Sequence, residues 1–277
     1  MSALQIAYLG PEGTFSHLVA KKRFGVSAKL LPQPSVFDVF AFVRGGKNRL
    51  GIVPIENSSG GTIYETVDCL VEEGAGVSIL EDLSLNVRLA LMGRRGETVA
   101  TIYSHFVPMR HCEPWLREHF PSAKRVPVSS TAKAAELAAA EKESAALGTR
   151  DAAERNGLDV LEFPVHAAVP NITQFYLIGR AARAPVPRSN LTTIVVTLPN
   201  RPGGLCDFLE CFKKPGVNLT RLLSRPIIGR HKAYLFLADI AGTPAQPAVK
   251  SALASARAAS ESLRILGVYP VRATYAS

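Results

Sequence analysis

Four consecutive polar residues at 56–59, Glu-Asn-Ser-Ser, follow directly after the apolar run 52–55. The run predicts a short buried strand that ends in a carboxylate, an amide and two hydroxyls. Thr62, with Glu65 three residues later, has the spacing of a capping box at a helix start. Ligands bind at the carboxyl ends of strands in open α/β sheets, and helix N-termini attract anions. The pattern predicts either a site for an anionic ligand or a turn whose polar residues only cap a helix.

Similar polar clusters follow other predicted strands, at 13–17, 104–105, 129–131, 148–150 and 171–174. Hydroxyl side chains dominate these clusters. The sequence has no Gly-x-Gly-x-x-Gly, P-loop or Gly-x-Ser-x-Gly motif, which disfavours dinucleotide, nucleoside triphosphate and elbow-type hydrolase sites. We therefore expect a cleft for an organic anion, with no metal or cofactor. Such a cleft would bind the anion or catalyse an elimination that depends on orientation and one proton donor.

Strand and helix patterns alternate over residues 1–180, and these elements hold the polar clusters. The alternation predicts an α/β fold with a mostly parallel sheet. The segment 181–190 contains two prolines and few apolar residues, which is typical of a linker. Beyond the linker, residues 191–277 have the order βαββαβ, the split unit of ferredoxin-like domains. The sequence therefore predicts two domains of different architecture.

Composition narrows the class of protein. The 277 residues are 47% hydrophobic and carry a net charge of +9, which favours an anionic partner for a globular protein. The basic residues are scattered, so nucleic acid is disfavoured. The four cysteines lack the spacing of a zinc site. The chain has no apparent signal peptide and no apolar run near 20 residues, and we expect a cytoplasmic protein without membrane contact.

Five motifs, in this order, resemble those of the prephenate dehydratase family: GPEGTFSH at 10–17, VPIENSSGG at 53–61, YSH at 103–105, SSTAKAA at 129–135 and NITQF at 171–175. The segment 191–277 resembles the family's C-terminal ACT regulatory domain. GGLC at 203–206 and LSRP at 223–226 stand where the family has Gly-Ala-Leu-Val and Glu-Ser-Arg-Pro. The resemblance is to the monofunctional enzyme, because the sequence starts at the first strand without a chorismate mutase domain.

The resemblance implies a catalytic domain at 1–180 with two lobes, like those of a periplasmic binding protein, around a cleft. It implies conversion of prephenate to phenylpyruvate in L-phenylalanine biosynthesis, with loss of carbon dioxide and water and without a cofactor. Thr173 would assist departure of the ring hydroxyl. The residues implied to bind the substrate are Thr14, Ser16, Glu56, Asn57, Ser58, Arg88, His105, Ser130, Thr131, Asn171, Gln174 and Phe175.

For the ACT domain at 191–277, the resemblance implies L-phenylalanine as feedback inhibitor and a homodimer or homotetramer. The residues implied to bind this effector are Asn200, Gly203, Gly204, Leu205, Ser224 and Arg225. Backbone N–H groups at the start of a helix would receive its carboxylate. Leu223 stands where the family has Glu, which puts the strength of the phenylalanine response in question.

Gln174 stands where the family has Arg, and this is the main departure from the family pattern. A neutral amide replaces a bidentate cation, at a cost of about 1.5–3 kcal/mol for one charge-assisted contact. Arg88, aligned with a family His, or Arg150 is a candidate for the missing cation. The departure keeps other functions open: an arogenate dehydratase, a prephenate decarboxylase that does not aromatise the ring, and more remotely a non-catalytic amino-acid sensor.

Overall fold

The computed structural model describes residues 4–165, 169–180, 188–227, 229–230 and 233–277, so most of the predicted linker at 181–190 lies outside the described residues. The strands are β1 (Leu4–Leu9), β2 (Ala28–Gln33), β3 (Arg49–Asn57), β4 (Gly61–Thr62), β5 (Val77–Asn86), β6 (Ala90–Gly93), β7 (Thr101–Ser104), β8 (Lys124–Pro127), β9 (Ser144–Gly148), β10 (Asp159–Glu162), β11 (Ile172–Arg180), β12 (Leu191–Thr197), β13 (Leu219–Pro226), β14 (Tyr234–Ala241), β15 (Ser262–Tyr269) and β16 (Tyr275–Ala276).

The helices are α1 (Phe15–Phe24), α2 (Val36–Arg44), α3 (Tyr64–Val71), α4 (Phe106–His111), α5 (Glu113–His119), α6 (Thr131–Ala140), α7 (Arg150–Arg155), α8 (Gly204–Lys213) and α9 (Pro247–Ala258). No helix in the described part of the chain is long and apolar enough to cross a membrane.

The chain divides into two compact units. The first contains Met1–Thr66, Leu83–Tyr176 and Ala273–Ser277, and the second contains Val67–Asp82 and Leu177–Arg272. Residues 67–82 thus belong with the four-stranded part of the chain, and residues 273–277 belong with the first unit. These limits differ from the domain boundary at 180–191, which stays a prediction.

The first unit contains strands of two sheets. The larger has the strand order β16-β5-β11-β3-β1-β2, with β4 paired to β3. In it, β1 pairs in parallel with both β2 and β3. The smaller sheet has the order β10-β6-β9-β7-β8, where β7 pairs in parallel with β8 and β9. The mixed α/β class predicted from the sequence is confirmed.

The local sequence explains why the helices begin where they do. Ser35 caps α2 by accepting a hydrogen bond from the Asp38 backbone N–H at 3.1 Å, as the capping-box spacing predicts. The apolar face of α2, which includes Val39 and Phe40, is fully buried. Strand β3 is buried on both faces from residue 50 to residue 55, as expected for an interior parallel strand.

Two local predictions are wrong. Thr62 does not cap a helix: it lies in β4 and pairs with Glu56, and α3 begins at Tyr64. The sequence pattern of residues 109–120 predicts one helix, but the structure has two, α4 and α5. Pro114 stands at the start of α5, where proline is tolerated because the first helical N–H groups have no partner within the helix.

The second unit contains the order β12-α8-β13-β14-α9-β15, which is the βαββαβ order predicted. Its antiparallel sheet has the strand order β13-β14-β12-β15. Phe208 and Phe212 of α8 pack with α9 residues and with Ile194 and Ile240 against one face of the sheet. Residues 67–82 lie on the other face, where Gly267 is required because a Cβ there would overlap the Ile79 carbonyl oxygen.

Candidate functional site

A cavity of about 620 Å³ lies in the first unit, among strand ends of the larger sheet and the starts of several helices. Drug-sized ligands bind in cavities of this size. The predicted catalytic residue Thr173 lines it, together with many of the predicted substrate-binding residues: Thr14, Ser16, Asn57, His105, Ser130, Thr131, Asn171 and Phe175. Polar residues at strand ends are therefore brought together, as the α/β pattern predicts.

Three helices of nine or ten residues begin at this cavity. Thr14 caps α1 by accepting from the His17 N–H at 3.3 Å, and Ser130 caps α6 by accepting from the Lys133 N–H at 3.0 Å. Ser35, the cap of α2, also lines the cavity. Each helix start presents backbone N–H groups and the positive end of the helix dipole, both of which favour a bound anion.

The side chain of Asn57 forms four hydrogen bonds. Its Oδ1 accepts from the Ser59 N–H at 2.9 Å and from the Gly60 N–H at 2.7 Å. These two donors fix the orientation of the amide, so Nδ2 must face the opposite way. Nδ2 donates to Asn171 Oδ1 at 2.7 Å and to Thr173 Oγ1 at 2.8 Å.

The Thr173 hydroxyl is positioned as a donor by this arrangement. Its oxygen accepts from Asn57, so its own proton is available for a second partner. Thr173 lines the cavity and is 8% exposed. A buried hydroxyl proton without an acceptor costs free energy, so this proton favours a hydrogen bond to a bound ligand. The geometry therefore equips the cavity with one oriented O–H donor.

His105 caps the short helix α4, where its Nδ1 accepts from the Val107 N–H at 3.4 Å. Burial lowers the pKa of His105 below the ordinary value for histidine. The ring is therefore neutral near pH 7, and its proton is on Nε2 because Nδ1 is an acceptor. His105 contributes a neutral N–H donor to the cavity lining.

Four predicted substrate-binding residues are not in the cavity lining: Glu56, Ser58, Arg88 and Gln174. Side chains alternate between the two faces of a strand. Asn57, Thr173 and Phe175 line the cavity, so their strand neighbours at 56 and 174 face the other side. The Ser58 hydroxyl instead donates to the Pro170 carbonyl at 3.2 Å and accepts from the Ile172 N–H at 2.9 Å.

The two arginines considered as replacement cations share another location. Arg88 and Arg150 place their guanidinium carbons 5.0 Å and 4.0 Å from the Phe163 ring centroid. Both side chains are exposed, and neither lines the cavity. Among the described residues, the lining of this cavity contains no Lys or Arg. Backbone N–H groups and neutral donors are thus its means of holding an anion.

Several lining residues were not predicted as site residues: Ser35, Phe37, Glu65, Val107 and Pro108. Ser35 follows a strand and caps a helix, so the strand-end pattern that marked the clusters at 13–17 and 129–131 applies to it equally. The apolar residues carry no such signal. Their place in the lining depends on how α2 and α4 pack, which local sequence does not specify.

A smaller cavity of about 210 Å³ lies in the second unit. Asn200 and Leu205, two predicted effector-binding residues, line it together with Arg201, Arg230 and Glu261. The lining also contains Tyr234 and Phe236. In the part of the lining that the structure describes, Arg201, Arg230 and Glu261 are charged and Tyr234 and Phe236 are aromatic, so the surface is mixed polar and apolar.

The other predicted effector residues do not line the cavity: Gly203, Gly204, Ser224 and Arg225. Gly203 precedes α8 with φ of 80°, which favours glycine. A Cβ on Gly204 would approach the Pro199 carbonyl oxygen to 2.7 Å. Arg225 forms a bidentate ion pair with Asp68, with both N–O distances at 2.7 Å. Within the described residues, no group of three or more His, Cys, Asp or Glu could hold a metal ion.

Comparison with known proteins identifies the family. The family model described as prephenate dehydratase matches residues 6–183. The bifunctional chorismate mutase/prephenate dehydratase of Stutzerimonas stutzeri is 35% identical over 269 residues, which cover 96% of this chain and 73% of that protein. The chain belongs to the prephenate dehydratase family. The enzyme type predicted from the motifs, a prephenate dehydratase of phenylalanine biosynthesis, is confirmed.

Two solved structures of relatives resemble the whole chain. Prephenate dehydratase from Arthrobacter aurescens, solved in complex with L-Phe, has a TM-score of 0.87 and 31% identity, covering 96% of this chain and 90% of that one. A protein described as GqqA, a novel type of quorum-quenching acylase, has a TM-score of 0.85 and 32% identity, covering 97% and 98%. The prephenate dehydratase fold therefore extends over residues beyond the match at 6–183.

A buried histidine supports the turn that leads into α1. His17 is 6% exposed, its Nδ1 accepts from the Gly13 N–H at 3.1 Å, and its ring stacks on Tyr8. Burial, and then the nearby Arg155 charge, lower the pKa of His17 below its ordinary value. A lowered pKa in the folded protein means that protonation favours unfolding. The stabilising contribution is complete above the ordinary pKa of about 6.5 and is lost as pH falls through the lowered value.

We predict that acid destabilises the wild type more than a His17→Gln variant, because Gln accepts from the Gly13 N–H without binding a proton. The measurement is the free energy of unfolding in urea at pH 7.5 and pH 5.0. His119→Gln, at an exposed histidine, is the control and should follow the wild type. An equal loss of stability in all three proteins would contradict the role assigned to His17.

Proposed function

We propose that this prephenate dehydratase converts prephenate to phenylpyruvate in the cavity of the first unit, with the Thr173 hydroxyl assisting the departing ring hydroxyl. The hydrogen bond from Asn57 Nδ2 to Thr173 Oγ1 is the observation that carries the proposal. It makes the Thr173 oxygen an acceptor and leaves its proton for the substrate.

The reaction needs one donor at the leaving oxygen. The bond between the ring and its carboxylate breaks, and the electron pair moves through the ring. The carbon–oxygen bond at the opposite ring position then breaks, and that oxygen leaves as water. One proton is consumed, so the products are phenylpyruvate, carbon dioxide and water. Thr173 would donate a hydrogen bond to the leaving oxygen as negative charge develops there.

Prephenate is a dianion, and the proposal requires that neutral groups hold it. The starts of α1, α2 and α6, capped by Thr14, Ser35 and Ser130, supply N–H groups and positive dipole ends at the cavity. His105 supplies a further neutral donor. Side chains alternate between the two faces of β11, so Gln174 points away from the cavity. In this proposal Gln174 therefore does not take over the substrate contact of the family Arg.

The two sheets of the first unit would correspond to the two lobes of a periplasmic-binding-protein-like domain. The four-stranded part of the second unit would be the ACT domain. The same proposal includes domain limits at 180 and 191, a cytoplasmic location and assembly as a homodimer or homotetramer. Arogenate, the amino analogue of prephenate, and decarboxylation without aromatisation are alternatives that product analysis separates.

A second candidate activity is hydrolysis of an acyl amide, as the similarity to the quorum-quenching acylase suggests. The observation that favours it is the hydroxyl-rich lining, whose described residues include Glu65 but no Lys or Arg, because a neutral substrate needs no cation. The hydrogen bond between Asn57 and Thr173 disfavours it. An acylase nucleophile needs a base that takes its proton, whereas Asn57 donates to the Thr173 oxygen.

We predict that Thr173→Ala lowers kcat for phenylpyruvate formation by about 10²-fold or more, the contribution typical of a positioned proton donor. Thr173→Ser keeps the hydroxyl and should retain kcat within about tenfold, equivalent to about 1.4 kcal/mol. The measurement is phenylpyruvate absorbance in base, with prephenate and arogenate supplied separately.

The control is Thr220→Ala, a threonine on β13 of the second unit, which should leave kcat unchanged. Equal kcat in wild type and Thr173→Ala would refute the role of Thr173. If the wild type forms no phenylpyruvate but hydrolyses an acyl amide, the acylase activity is correct and the dehydratase proposal fails. Gln174→Arg is tested beside them, and recovery of turnover only in this variant would mean that the native substrate differs.

We also propose that L-phenylalanine binds in the 210 Å³ cavity of the second unit as feedback inhibitor. A relative was solved with L-Phe bound, and this cavity has groups for each part of an amino acid. Arg201 and Arg230 suit the carboxylate, Glu261 suits the ammonium group, and Phe236 suits the aromatic ring. Leu223 is not in the lining, so its difference from the family Glu leaves these contacts in place.

We predict that saturating L-phenylalanine raises the melting temperature of the wild type by about 5 °C, as expected at about 100 times Kd. Glu261→Gln removes the partner of the ammonium group and should abolish most of the shift. Glu210→Gln, at a carboxylate of α8 outside the cavity lining, should keep it. A full shift in Glu261→Gln would place the effector elsewhere.

A further inference from the structure

Residues 273–277 form an additional strand of the larger sheet. Tyr275 and Ala276 make up β16, which pairs in parallel with Leu85 and Asn86 of β5. The Ser277 N–H then donates to the Asn86 carbonyl at 3.2 Å. The segment 273–277 follows β15 of the second unit in sequence, yet it belongs to the first unit by its contacts.

The Ser277 side chain continues this pairing beyond the end of β5. Its Oγ accepts from the Arg88 N–H at 2.6 Å and donates to the Arg88 carbonyl at 3.2 Å. One hydroxyl thus forms hydrogen bonds with both the backbone N–H and the backbone carbonyl of Arg88, which lies outside the strands. Both bonds lie at an exposed position, so their contribution is to restrict residues 86–88 to one conformation and not to satisfy buried groups.

Val87, the central residue of this held segment, belongs to the candidate active site. It is 6% exposed and lines the 620 Å³ cavity. Its N–H donates to the Asn171 carbonyl at 2.7 Å. The Asn171 side chain in turn accepts from Asn57, whose other donated bond goes to Thr173. Hydrogen bonds, linked through the backbone of residues 87–88 and through the covalent structure of Asn171, therefore lead from Ser277 to the proposed donor.

We propose that the segment 273–277, and Ser277 in particular, is a positioning element of the active site. It holds residues 86–88 against Asn171 and so maintains the geometry in which Asn57 orients Thr173. It does not touch the substrate. Without it, Leu85 and Asn86 at the end of β5 lose their partner strand, and the backbone that holds Asn171 becomes more mobile. This inference rests on the proposed role of Thr173, because positioning matters only if Thr173 acts.

The experiment compares Ser277→Ala, Ser277→Thr and a chain that stops after Arg272 with the wild type. Ser277→Ala removes both hydroxyl bonds and should lower kcat at saturating prephenate by about 3- to 30-fold, the effect of one or two hydrogen bonds. KM should change less than twofold. Ser277→Thr keeps the hydroxyl and should restore kcat. The shortened chain should lose at least as much activity as Ser277→Ala.

Hydrogen exchange at the Val87 amide is the second measurement. It should become faster in Ser277→Ala, because the bond to Asn171 opens more often, and it should return to the wild-type rate in Ser277→Thr. Ser27→Ala is the matched control, since the Ser27 hydroxyl donates to the Phe24 carbonyl in an exposed turn of the same unit. This variant should change neither kcat nor exchange at Val87.

An unchanged kcat and unchanged Val87 exchange in Ser277→Ala would overturn the inference, even if the melting temperature falls. If the shortened chain does not fold, Ser277→Ala decides alone. Thr173→Ala, measured in the same assay, separates the two proposals. An inactive Thr173→Ala with a fully active Ser277→Ala means that only the positioning role is wrong. A fully active Thr173→Ala means that the proposed catalytic role itself has failed.

Discussion

The orientation of one amide, the side chain of Asn57, determines the geometry of the site. Two backbone N–H groups in the turn after β3 hold its oxygen, so its nitrogen must donate toward Asn171 and Thr173. The same side chain therefore joins the end of β3 to the start of β11. A rotated amide would present an oxygen to two acceptor atoms and would take up the Thr173 proton. Catalysis by Thr173 thus depends on the turn at 57–60 as much as on Thr173 itself.

The negative charge of the substrate is the second constraint on how the site can work. A dianionic substrate in a cavity whose described lining has no Lys or Arg must be held by dipoles and neutral donors. Such groups bind more weakly than a bidentate arginine, but they do not reorganise as charge moves from the carboxylate to the leaving oxygen. The helix starts at Thr14, Ser35 and Ser130 are suited to this task because each is fixed by its own cap.

Sequence patterns predicted the parts of this site that follow local rules. The polar clusters at 13–17 and 129–131 were found because strand ends have clear signatures, and the family resemblance added Thr14 and Ser130 within them as site residues. Gln174 was included because it stands where the family has Arg, and Glu56 because it belongs to the polar run after β3. Only the register of the strands shows which face each side chain takes. The pairing of β16 with β5 joins positions about 190 apart, and no local pattern encodes it. Thr62 failed as a cap because pairing with Glu56 outweighed its capping preference.

The most direct test of the account is a double-mutant cycle between Asn57 and Thr173, read as kcat for phenylpyruvate formation. In Asn57→Asp, the oxygen that replaces Nδ2 cannot donate, and it accepts the Thr173 proton instead. The account predicts that Asn57→Asp lowers kcat about as much as Thr173→Ala, and that combining the two substitutions causes little further loss. Losses that multiply in the double variant, or an Asn57→Asp variant with wild-type kcat, would contradict it.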